Sequence, residues 1–284
     1  MGAAILFLII GGVSSATTYF ERWGKLPALY HAFDEGLWDV GRWMAAQPAG
    51  TTLYLTPRDA THPTLTFALL TAGKTLPPSF DGRSVFPTTA GRSAAAESYV
   101  VIEHEDFRTR LLLPELFPDA RVSQEWEDRG GDLYARVYTR PPGSLPRRLP
   151  KTAVAASVGD GIRLLGFDVL PTDPRPGDML YVQLHWAVDS PPTHDWTVFV
   201  HLLGPADQPP TELVAGKDSP PGNGSLSTTR WQKGWLILDE YQIPLAAELP
   251  VGHYTLEIGL YQASGARLPL DGPIRLGEIT IGRE

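Results

Sequence analysis

The segment Gly216–Trp235 (GKDSPPGNGSLSTTRWQKGW) places two tryptophans, an arginine and several hydroxyl side chains beside a Pro-Pro-Gly-Asn-Gly turn. An indole face can stack on a sugar ring, and carboxylate, amide or guanidinium groups beside it can orient the hydroxyls. The candidate binding residues are therefore Asp218, Asn223, Arg230, Trp231 and Trp235. The same loop has a plainer use, in which Trp231 closes the end of a core and Asp218 ties the backbone together. Elsewhere the sequence has no HExxH, CxxC or GxSxG pattern. His185 and His201 fall on strands that could be neighbours, but two imidazoles without a third ligand make no metal site. His104-Glu105-Asp106 follows a strand, where α/β folds take ligands, but it reads more simply as the acid-rich first turn of a helix. No catalytic residue, metal or cofactor is expected.

The elements that carry these residues change character along the chain. Asp34–Gln47 has apolar residues at helical spacing and is ended by Pro48. Thr52–Thr56 is a short strand, and Thr61–Gly73 predicts a helix with Thr61 as N-cap and Pro63 in its first turn. Ser98–Glu103 is nearly all apolar, as expected of a strand buried on both faces. A helix should follow and end or kink at Pro114, before a hairpin around Gly130-Gly131. The small residues around Ala90–Ser98 read as loop or short helix. From Ile162 onward the pattern is strand after strand, separated by Pro, Gly and Asp turns. In Asp178–Trp186, for instance, Leu180, Val182, Leu184 and Trp186 share one face, and Tyr181, Gln183 and His185 the other. Trp186 and Trp196 read as core residues.

The first charged residue is Glu21. A helix over the preceding twenty residues would span roughly 30 Å, close to the thickness of a bilayer's hydrocarbon. A signal peptide would carry a basic leading segment, which this run lacks, whereas Tyr19, Trp23 and the charges between them suit a headgroup interface. The run is therefore expected to be a retained transmembrane anchor. The expected fold class is α/β plus all-β: a membrane helix over residues 1–22, a small three-layer α/β domain over 25–140, a Pro-rich linker over 141–151 and an antiparallel β-sandwich over 152–284. The net charge of −8, with no dense basic run, argues against a nucleic-acid partner. Cysteine is absent, which is compatible with export.

Two stretches carry a resemblance. TTYFERWGKLPALYHAFDEGLWDVGRWM followed by GTTLYLTP resembles the C-terminal end of bacterial polytopic glycosyltransferases of the GT-C class, the protein-mannosyltransferase-like enzymes that use polyprenyl-phosphate sugars. The later strands, from LLGFDVLPTDPRPGDMLYVQLHWAV through DSPPGNG to VGHYTLEIGLYQ, look like a sandwich module appended to such enzymes. In that family the catalytic acid lies near the N-terminus among many membrane helices, so the resemblance implies a part that is not catalytic alone. It implies an extracytoplasmic accessory or recognition module of cell-surface glycosylation, held at the cell membrane by a single pass. The expected partners are membrane lipid, a cell-surface glycan or a polytopic membrane glycosyltransferase. The alternative is an exported structural or interaction protein that assembles through its sandwich and has no sugar role.

Overall fold

A computed structural model describes residues 2–91, 95–147, 150–205 and 212–282. Part of the Ala90–Ser98 stretch (92–94) and part of the expected linker (148–149) lie outside the described residues. In chain order, helices α1 (Gly2–Ala16), α2 (Pro27–Ala32) and α3 (Glu35–Ala46) precede strand β1 (Thr52–Thr56) and helix α4 (Pro63–Thr71). Strands β2 (Val85–Thr89) and β3 (Glu97–Val101) follow, then α5 (Phe107–Leu116) and the hairpin β4 (Arg121–Glu127) and β5 (Leu133–Arg140). The rest is strand: β6 (Thr152–Gly159), β7 (Ile162–Leu170), β8 (Met179–Val188), β9 (Thr197–Gly204), β10 (Glu212–Ser219), β11 (Trp235–Pro244), β12 (Gly252–Tyr261), β13 (Arg267–Leu268) and β14 (Ile274–Ile281).

The membrane-spanning expectation is corrected. No helix among the described residues is long and apolar enough to cross a bilayer. The α-helical hydrogen-bonding pattern stops at Ala16 after fifteen residues, which is about 22 Å of rise. Thr17–Trp23 continues as a π-helical segment that already carries Glu21 and Arg22. The anchor over 1–22, the single-pass placement at the cell membrane and the membrane part of the expected fold class therefore fall. The fold is β-rich, built on three sheets.

The first sheet has the order β1-β3-β5-β4, with β1 and β3 parallel and the other pairs antiparallel. Alternation along its strands divides the side chains between two layers. Leu55, Val100 and Val137 point into a cluster with Leu37, Val40 and Met44 of α3 and Leu65 and Leu69 of α4. Tyr54, Tyr99 and Tyr138 point the other way, to Leu112, Leu113 and Leu116 of α5. All five residues of β3 are buried, the polar Glu97 and Ser98 included, as the nearly apolar run Ser98–Glu103 predicts for a strand covered on both faces. Helix α4 has His62 rather than Thr61 at its N-cap, and α5 runs through Pro114 for two further residues.

The remaining two sheets face each other as a sandwich, one ordered β2-β11-β8-β7-β6, the other β10-β9-β12-β13 with β14 also on β12. Strand β2 comes from the first half of the chain yet is an edge strand of the second half's sheet, paired with β11 from Trp235 opposite Thr89 to Asp239 opposite Val85. The edge position is what lets it contain Pro87, which has no N–H for a ladder. Phe86 of β2 stacks on Tyr99, and Tyr99 on Tyr54, with centroids 5.0 and 4.7 Å apart. One apolar cluster thus runs from the first sheet through α5 into the sandwich. Strand β2 and this shared cluster join the two halves of the chain. The described part of the linker is stitched down on both sides: Arg147 N–H donates to Leu116 O at 2.9 Å, and Lys151 N–H to Asp168 Oδ1 at 2.6 Å.

Candidate binding cleft

The loop singled out from the sequence does not form a sugar platform. Trp231 is 1% exposed, and its indole N–H donates to Leu226 O at 3.1 Å. Its ring lies 6.4 Å from that of Trp186, inside the sandwich. Trp235 begins β11 and is also buried, against Tyr54. Neither indole has a face free for stacking. Arg230 reaches back to the first half, donating to Ser79 O at 2.7 Å and to Ser225 O. Asp218, Asn223 and Arg230 stay exposed, and they do not converge: Asp218 Oδ1 pairs with His201 Nε2 at 2.8 Å, while Asn223 lies in the Pro221–Gly224 turn with φ of 54°. The burial of both tryptophans follows from their neighbours, since Leu226 and the β11 apolar positions fill the same end of the core.

The histidine and acidic motifs resolve in the same way. His185 is on β8 and His201 on β9, in different sheets, so they are not neighbours. No group of three metal-ligating side chains occurs among the described residues. Asp106 caps α5, accepting from Thr109 N–H at 2.9 Å and from the Thr56 hydroxyl at 2.6 Å. Glu105 is paired with Arg58. The ligand position expected beyond β3 is thus filled by internal hydrogen bonds.

A recess does form where α5 lies across the outer face of the β7-β8-β11 sheet. The pleat dictates its floor. Inward residues Leu180, Val182, Leu184 and Trp186 are all 0% exposed, which leaves Tyr181, Gln183 and His185 on the other face. Register then sets Asp168 and Glu240 on either side of Gln183, and Leu170 and Gln242 on either side of Tyr181. Helix α5 supplies the facing wall through Arg108, Leu111, Leu112 and Glu115. The enclosed volume is about 190 Å³.

The chemistry of this cleft is mixed. Arg108 Nη2 lies 3.2 Å from Glu240 Oε2, so the wall and the floor are bridged by an ion pair. Asp168 Oδ2 lies 3.1 Å from His185 Nε2, and both residues are buried. Gln183 is 7% exposed, and its amide oxygen has no hydrogen-bond partner among the described residues. A buried acceptor left unpaired costs on the order of 1–3 kcal/mol, which a ligand donor would recover. At the rim, the Tyr181 ring is 39% exposed, and Leu111 and Leu170 also face solvent. On the inner side of β11, burial raises the Asp239 carboxyl to about 6, against hydrogen bonds from Tyr241 and the Gly222 N–H that favour its charged form.

Apart from His185, weighed only as half of a metal site, none of these cleft residues is a candidate from the sequence. The alternation in β8 exposes Tyr181 and Gln183 to inspection, but the cleft residues that α5 and β11 bring to them lie more than fifty positions away in the chain. Compared with known proteins, the chain matches no family model and no curated protein.

Proposed function

We propose that this protein is a non-catalytic carbohydrate-recognition protein that serves cell-surface glycosylation, and that the cleft beneath α5 holds its sugar. The observation that carries this reading is the buried Gln183 acceptor without a partner, set between two carboxylates and below an exposed tyrosine ring. A sugar hydroxyl supplies the donor that Gln183 lacks, and the Tyr181 ring offers a stacking face. The resemblance to the C-terminal region of GT-C glycosyltransferases points in the same direction. In this reading the partner is a glycan, presented alone or by an enzyme that builds it.

The full chain should bind members of an array of neutral mono- to hexasaccharides. Tyr181→Ala and Gln183→Leu should each weaken that binding about tenfold or more, the scale of one good polar or stacking contact, with the melting temperature nearly unchanged for the exposed Tyr181. Binding that survives both substitutions would remove the cleft as the site. No glycan binding, together with concentration-dependent self-association in sedimentation, would favour an interaction protein assembling through its sheets.

A further inference from the structure

The floor of the cleft continues past Glu240. That side chain also walls a second recess of about 380 Å³, lined by Arg83, Met179, Lys217, Asn223 and Gln242 among others. The two recesses share one sheet face, because Gln242 sits directly opposite Tyr181 in the β8-β11 register. The second is open for a topological reason. The β2 ladder on β11 ends at Asp239, whereas β11 runs on to Pro244 paired only with β8 among the described residues. The chain turn at 81–84 and the Pro221–Gly224 turn border the open edge, the first through Glu240 N–H donating to Ser84 O at 2.8 Å.

The lining of this second recess differs from that of the first. Lys217 is exposed, and its ammonium has no ion-pair partner among the described residues. Asn223 presents an exposed amide from a left-handed turn, and the Gln242 amide nitrogen is 3.3 Å from Glu240 Oε1. Arg83, in contrast, is committed to Asp81 through two hydrogen bonds of 2.8 Å. Aromatic and leucine surface thus marks the α5 side, and hydrogen-bonding groups with one available cation mark the β11 edge. From Tyr181 on β8 to the far side of β11 is about two strand spacings, roughly 10 Å, which is longer than one sugar ring.

We infer that the two recesses are consecutive subsites of one groove, and that the ligand is a linear oligosaccharide rather than a single sugar. This rests on the carbohydrate reading. One ring packs at Tyr181 and Gln183, and the next units lie across Glu240 with their hydroxyls on Lys217, Asn223 and Gln242.

The test is titration calorimetry of the full chain with cello-, manno- and chito-oligosaccharides of one to six units. In the series that binds, affinity should rise about tenfold or more between the monosaccharide and the tri- or tetrasaccharide. The double substitution Lys217→Ala, Asn223→Gly should bring that long-to-short ratio to about one; glycine keeps the positive φ at 223, and Lys217 is exposed, so folding is preserved. Affinity that does not depend on chain length, or a ratio unmoved by the double substitution, would overturn the inference while leaving the α5 cleft as a one-sugar site. No binding in any series would remove the carbohydrate reading itself, and the groove assignment with it.

Discussion

Asp239 is a fully buried carboxylate within a sandwich core, and its position makes stability depend on pH. Burial raises its pKa from 3.8 to about 6, while Tyr241 and the Gly222 N–H act to lower it. A carboxyl raised in the folded state is bound to its proton more tightly there than in the unfolded chain. Its contribution is therefore fully favourable below pH 3.8 and is lost as pH climbs through 6. A shift of this size corresponds to about 3 kcal/mol. Relative to Asp239→Asn, the natural protein should lose about 2 kcal/mol of that between pH 4 and pH 7, the rest having gone below pH 4. Urea melts of both proteins across that range measure it, and a difference that stays constant with pH would refute it. Other carboxylates, such as Asp160 and Asp195, are held below the usual range and push in the opposite direction; the comparison with the Asn variant cancels them.

At the level of elements, α5 decides whether a cleft exists at all. Its first turn is fastened by Asp106, which accepts from Thr109 and Thr56, while Arg108 donates to Gly82 O at 2.8 Å. Gly82 fits there only because it has no side chain: a Cβ would lie 1.9 Å from Thr109 Oγ1 and 2.1 Å from Asp106 Oδ2. Gly82→Ala should therefore displace the start of α5, cost about 1–3 kcal/mol and weaken glycan binding without touching a cleft residue. Equal melting temperature and equal affinity in that variant would show that α5 is held by its apolar face alone. This dependence also explains what could be read in advance. The helix itself, the hairpin after it and the facing of β8 follow from periodicity, and Leu180, Val182, Leu184 and Trp186 all point inward. The docking of α5 over Gln183 has no local signal, because it is set by the shared core of Leu112, Leu113 and Leu116 with the first sheet. Strand β2 was hidden for another reason: VFPTT carries a proline and no clear alternation, and its edge position tolerates both. The tryptophans of Gly216–Trp235 misled because large aromatics serve cores and sugar platforms equally well, and only packing tells them apart.

For the molecule as a whole, the strand exchange at β2 links the two halves energetically. Unfolding the first sheet would strip β2 from β11 and uncover Phe86, Tyr99 and Phe117, so the whole body should melt in one calorimetric transition. Two resolved transitions would show that the halves fold separately despite the shared cluster. The pairing of β2 with β11 also acts as a guard. A chain begun at Pro150 would keep every other strand of the sandwich, but β11 would lose its neighbour from Trp235 to Asp239. Its N–H and C=O groups, with Leu236 and Leu238 beside them, would then form an uncovered apolar edge ready to pair with another copy. Such a fragment should assemble edge to edge and scatter light at concentrations where the full chain stays monodisperse. In that sense a five-residue strand from the first half works as an internal chaperone for the sheet it completes.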